Sequence, residues 1–269
     1  MPDPFQRIEA VLDAIGPLVI ACSGGIDSML LAVIAHRRAP GQVVVAHAIS
    51  PAVPDEGTAR VKNWAAREGW SLHTVRSGEF EDESYLSNPV NRCYFCKSNL
   101  YSSLQRISAE LSDKGIIVSG ANLDDLGEYR PGLIAASEKG VRHPWIEAEI
   151  GKSDIRALAH ELGLPFADLA ASPCLASRLY TGTRVTPERL RAIHACETLI
   201  RERTGIAVVR CRIRAEIMIV EVGDADRAAI TTGLLQDVHA LAISHEPALC
   251  EAMLDDTAYQ PGRAFVGAT

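Results

Sequence analysis

The string Ser23-Gly24-Gly25-Ile26-Asp27-Ser28 stands between a short apolar run, Leu18 to Cys22, and helix-like sequence from Asp27 to about Arg38. A glycine pair at a strand-to-helix turn lets backbone N–H groups face an anion, and the helix N-terminus adds positive potential. The hydroxyls of Ser23 and Ser28 can donate to the same oxygens. No lysine follows the glycines as in a Walker loop, and the spacing is not G-x-G-x-x-G. A serine-capped tight turn is the plain alternative. The whole string in a strand-loop-helix setting favours a pyrophosphate cradle.

The run from Leu18 opens an alternation. Val43 to His47, Ser71 to Val75 and Ile116 to Ser119 have the look of strands. Asp3-Pro4 caps a first helix, and helices are expected near Thr58 to Glu68, Ser98 to Leu111 and, capped by Ser153, up to Gly163. Alternating strands and helices imply an α/β parallel sheet covered on both faces, with ligands beyond the C-terminal strand ends. Thr181 to Thr186 is the expected boundary, dividing residues 1–180 from a small α+β unit at residues 185–269. That unit should hold a helix from Pro187 to about Arg203, strands Ala207 to Ile213 and Glu216 to Val222, and a helix from about Asp224. The tail beyond Leu254 reads as loose.

Composition narrows the function. The chain has 269 residues, 47% of them apolar, enough for a sizeable core. Its longest apolar runs are far shorter than a bilayer span, and the N-terminus lacks a secretory pattern, so a cytoplasmic location is expected with no membrane partner. A net charge of -7 argues against a broad nucleic-acid face. Seven cysteines in such a chain point to metal or catalysis more than to disulfides.

Cys93-Tyr-Phe-Cys96 presents two thiols at a spacing that fits zinc, an iron–sulfur cluster or a redox pair. Cys174 lies in Pro-Cys-Leu-Ala-Ser-Arg178, whereas Cys22, Cys196, Cys211 and Cys250 read as small buried hydrophobes. The eight histidines do not cluster and read as structural. Gly120-Ala-Asn122-Leu-Asp124-Asp125 follows the fourth strand, where a second phosphate contact would fall, and Asp124 could bind Mg²⁺ or simply form a solvated turn. Arg178, Arg210 and Arg212 are candidates to hold a substrate phosphate, because the guanidinium fork grips two oxygens. Arg214 continues the alternation of Arg210 and Arg212, which equally suits a solvated basic face.

The glycine string resembles the signature of the pyrophosphatase-loop (PP-loop) ATPases, with their adenine nucleotide α-hydrolase-like fold. That resemblance implies that Ser23, Gly24, Gly25, Asp27 and Ser28 hold the pyrophosphate of ATP, with Gly120, Asn122 and Lys152 also at the nucleotide. The segment Gly120 to Gly132, Cys174-Leu-Ala-Ser-Arg178 and the Arg210–Arg212 pair are further similar to the ATP-dependent sacrificial sulfur transferase family, LarE. The likeness runs from about residue 5 to 240. It implies an enzyme that adenylylates a carboxylate of a pyridinium mononucleotide, releases AMP and pyrophosphate, and leaves a thiocarboxylate for a nickel-pincer cofactor. Two sulfur sources occur in that family: Cys174 itself, or a [4Fe–4S] cluster held by Cys93, Cys96 and Cys174. The three cysteines look like the cluster type. The resemblance also implies ATP and Mg²⁺ as cofactors, acidic metal contacts near Glu197 and Asp226, and a homo-oligomer of hexameric form. A tRNA thiolation enzyme, an amide ligase on the same fold and a non-catalytic nucleotide-binding protein are the rival readings.

Overall fold

The computed structural model describes residues 2–110, 115–127 and 130–265. Within them the chain forms two compact units. The first comprises residues 1–79 and 93–172, and the second residues 80–92 and 173–269. The division therefore falls before the expected Thr181–Thr186 boundary, and the excursion from Phe80 to Arg92 belongs with the C-terminal half.

In the first unit, α1 (Pro4–Ile15) starts where Asp3 accepts the Gln6 N–H at 2.8 Å, with proline in the first turn, and stops at Gly16. Strands β1 (Leu18–Ala21), β2 (Val43–Ala48), β3 (Ser71–Val75) and β4 (Ile116–Ser119) form one parallel sheet in the order β3-β2-β1-β4. Alternate residues serve opposite faces. Leu18, Ile20, Val43, Val45 and Val118 join one core, while Val19, Val44, Ala46 and Ile117 join another. Burial on both sides explains why these strands are continuously apolar. The helix α2 (Ile26–Arg38) is buried nearly all round from Ile26 to His36, and α3 (Asp55–Glu68) ends at Gly69, a left-handed cap.

A short α4 (Glu83–Leu86) lies in the second unit's excursion, and α5 (Arg92–Glu110) begins at its end. The start expected at Ser98 is thus too late: Cys93 and Cys96 are already helical. Its expected end at Leu111 lies outside the described residues, as do Glu128 and Tyr129. Three helices complete the first unit: α6 (Pro131–Glu138), α7 (Pro144–Glu147) and α8 (Lys152–Glu161). Gly151, not Ser153, is the N-cap of α8; its N–H donates to Asp154 at 3.3 Å.

In the second unit, α9 (Pro187–Thr204) is capped by Thr186 and stopped by Gly205. It packs against β5 (Val209–Arg214) and against α10 (Thr232–His245). A two-residue turn at Ala215 (φ 55°) joins β5 to β6 (Ile217–Val222) in an antiparallel pair. A third strand, β7 (Glu251–Leu254), pairs parallel to β6 and was not evident in the sequence. The residues after it are not loose as far as Phe265. The Tyr259 N–H donates to the Val222 carbonyl at 3.0 Å, and Arg263 pairs with Asp255 at 3.0 Å. Among the described residues no helix is long and apolar enough to cross a membrane.

Candidate functional site

The loop after β1 is held from within. The Ser23 and Ser28 hydroxyl oxygens lie 3.1 Å apart, and Ser28 Oγ accepts the Ser23 N–H at 3.0 Å while donating to the Gly25 carbonyl at 3.1 Å. Gly24 has φ +82° and packs so tightly on the first turn of α3 that a Cβ would stand 2.7 Å from the Gly57 carbonyl oxygen. At Gly120, just past β4, a Cβ would stand 2.7 Å from the Ser28 nitrogen. Two chain segments therefore press on the N-terminus of α2, which only glycine permits. Arg60 adds a cation by donating to the Gly24 carbonyl at 2.6 Å, and burial draws its pKa down. Trp145 Nε1 donates to the Asp27 carbonyl at 3.0 Å.

Lys152 reaches the same place. Its Nζ is 2.6 Å from both carboxylate oxygens of Asp27, and its own N–H donates to Asp124 Oδ2 at 2.6 Å. Asp124 is in turn fixed by the Asn122 side chain, which accepts its N–H at 3.0 Å, and Leu123 N–H bonds the Ile150 carbonyl. So Ser23, Gly24, Gly25, Asp27, Ser28, Gly120, Asn122, Asp124 and Lys152 form one continuous network at the C-terminal edge of the sheet. Arg60, Gly57 and Trp145 belong to it but were missed by sequence reasoning. Only the glycine in the first turn of a helix, at Gly57, carried a signal, since that residue is costly there. His47 is buried beneath the loop between the Cys22 carbonyl (2.8 Å) and Thr58 Oγ1 (2.9 Å), and desolvation lowers its pKa.

Cys93 and Cys96 are three apart on α5, hence on one helix face, and both are half-buried. Gly132 of α6 lies against this turn, its Cβ position 3.7 Å from the Cys93 carbonyl oxygen. In the second unit, Cys174 is exposed at the start of a 3₁₀ turn, Leu175–Arg178. Cys22, Cys196 and Cys211 are buried, their thiol pKa values pushed up by desolvation to about 11, about 12 and well above the ordinary value. Cys250 departs from expectation: it is exposed. Among the described residues no three His, Cys, Asp or Glu side chains gather as metal ligands.

The basic residues differ sharply from one another. Arg178 is buried, its Nε and Nη2 donating to Glu197 at 3.0 and 3.2 Å. Arg212 is buried against Glu221 at 2.8 Å. Arg210 is only half-buried, stacks with Arg212 on the Tyr259 ring, and donates to the Val209 carbonyl. Burial first, then repulsion from Arg178, lowers its pKa, so an anion would relieve it. Arg214 is exposed at the strand end, over Tyr180. Glu197 accepts the Cys211 N–H at 3.1 Å as well as Arg178, and Asp226 is half-buried in a 3₁₀ turn.

No protein-family model matches the chain. It is 31% identical over 217 residues to pyridinium-3,5-bisthiocarboxylic acid mononucleotide synthase of Lactiplantibacillus plantarum, covering 80% of this chain and 78% of that one. An uncharacterized protein of Synechocystis sp. is 37% identical over 203 residues, 76% of this chain and 75% of the relative. An uncharacterized protein of Methanocaldococcus jannaschii is 27% identical over 207 residues, 77% and 78% of the two chains.

Proposed function

Because this chain belongs to the LarE family of sulfur transferases, we propose that it uses ATP to activate a carboxylate of a pyridinium mononucleotide and converts that group to a thiocarboxylate. The observation that carries the reading is the loop itself: two serine hydroxyls, two glycines and a helix N-terminus converge where Lys152 arrives from a distant segment. The substrate carboxylate oxygen attacks the α-phosphorus of ATP, and the bond from that phosphorus to the oxygen bridging to the β-phosphorus breaks. The departing pyrophosphate carries the electron pair into the loop, where Ser23, Ser28 and Lys152 offset its charge. A sulfur nucleophile then attacks the acyl carbon, and AMP leaves with the carbon–oxygen bond electrons. Arg210 is the arginine best placed to take the substrate phosphate, since Arg178 and Arg212 are already committed to buried carboxylates.

Asp124 offers Mg²⁺ a hard oxygen, with Oδ2 shared with the Lys152 N–H. For the sulfur, the cysteine sulfurs of Cys93, Cys96 and Cys174 suit iron by donor type, and the family resemblance implies a [4Fe–4S] cluster on these three residues, which would supply a transferable sulfide. This part rests on the cysteine pattern and the family. A cytoplasmic homo-oligomer is proposed on the same resemblance. Carboxylate-dependent exchange of labelled pyrophosphate into ATP tests the first half-reaction: the reading requires it, and its absence with ADP as product would overturn it.

A further inference from the structure

The segment carrying Cys174 is fastened by a buried charge network. Arg178 Nη1 donates to the carbonyls of Pro173 at 2.7 Å and Cys174 at 3.2 Å, and to Ser177 Oγ at 3.1 Å. The rest of its fork is locked on Glu197, the two side chains being 3% and 2% exposed. Glu197 is itself fixed to β5 through the Cys211 N–H. Arg212 Nη1 adds a bond to the Ser177 carbonyl at 3.0 Å. Carbonyls around so short a turn have few partners within it. A guanidinium serves several at once because its donors form a planar fork, but burying one is costly unless it is fully paired. Yet the thiol these bonds surround is exposed.

We propose that Arg178, clamped by Glu197, is a positioning residue that fixes the backbone at Cys174 so that its sulfur is held in place as a ligand for the sulfur-transfer half-reaction. This deepens the reading of Cys174 given above and rests on it. Arg178 then acts through the loop and does not touch the substrate phosphate.

The test is Arg178→Lys, which keeps the charge beside Glu197 but replaces the fork with a point donor. Pyrophosphate exchange should be unchanged, while thiocarboxylate formation falls on the order of 100-fold in kcat at unchanged KM for the acceptor. Hydrogen exchange at the Ser177 and Leu179 amides should quicken. Glu197→Gln should show the same pattern more weakly, and serves if the lysine variant does not fold. In Arg178→Ala, added guanidinium ion should restore part of the rate. A raised KM with unchanged kcat would make Arg178 a ligand contact and overturn the proposal, as would unchanged amide exchange. If the wild type shows no pyrophosphate exchange, the functional reading fails instead, and amide exchange still decides whether Arg178 fixes the loop.

Discussion

Lys152 Nζ sits 2.6 Å from both carboxylate oxygens of Asp27, across 125 residues of sequence. The side chains are 35% and 25% exposed, so solvent screening limits the pair to about 1 kcal/mol of stability at most. An ion pair so placed, at the loop, is better suited to exchange partners with an incoming phosphate than to hold the fold.

Lys152→Met should accordingly lower the unfolding free energy by no more than about 1 kcal/mol while cutting AMP formation at least about 10-fold. Denaturant titration and AMP release on the same preparation check this. Equal, small losses in both would reduce Lys152 to a surface ion pair.

Gly120→Ala places a methyl 2.7 Å from the Ser28 nitrogen, where neither backbone can yield cheaply. We expect a loss of about 1–3 kcal/mol in stability together with loss of ATP binding by calorimetry. Gly127→Ala, with nothing within 4 Å of the added carbon, is the control and should bind ATP normally.

These contacts show how much the residues alone disclosed. The parallel sheet was legible because strands buried on both faces must be continuously apolar, as Leu18–Ala21 and Val43–Ala48 are. The loop was legible from its two glycines. The α5 start was not, because Cys93 and Cys96 stood out as ligands and hid the helical register that includes them. β7 escaped because half of its residues are exposed and its partner β6 lies a whole helix earlier. The burial of Arg178 and Arg212 could not be read either: alternation places side chains on one face, and only the tertiary partners Glu197 and Glu221 reveal which face is inside.

His47 and His143 both have pKa values drawn below the ordinary 6.5, by burial first in each case. The folded state therefore resists a proton that the unfolded chain accepts. Stability from these groups is fully present above pH ~6.5 and declines as pH falls through the depressed pKa values, by up to about 1.4 kcal/mol per pH unit for each histidine. Urea titrations from pH 8 to pH 5 should show this decline, and His47→Gln should flatten it. A slope unchanged in that variant would remove His47 from the account.

The sulfur source separates two chemistries. Anaerobically purified protein should carry iron and sulfide, lost in Cys93→Ala, Cys96→Ala and Cys174→Ala but retained in Cys250→Ala, whose thiol is exposed but lies outside the motifs. Iron-free protein that loses one H₂S from Cys174 in a single turnover, with the Cys93 and Cys96 variants fully active, would replace the cluster with a sacrificial cysteine.

The most direct measurement follows both halves of the reaction at once. Purified protein is incubated anaerobically with Mg-ATP and a pyridinium dicarboxylate mononucleotide, and nucleotides and acceptor are read by mass spectrometry. The account predicts AMP and pyrophosphate in step with an acceptor in which sulfur has replaced one carboxylate oxygen. ADP and phosphate, or AMP with an acceptor that never gains sulfur under any cysteine redox state, would contradict it.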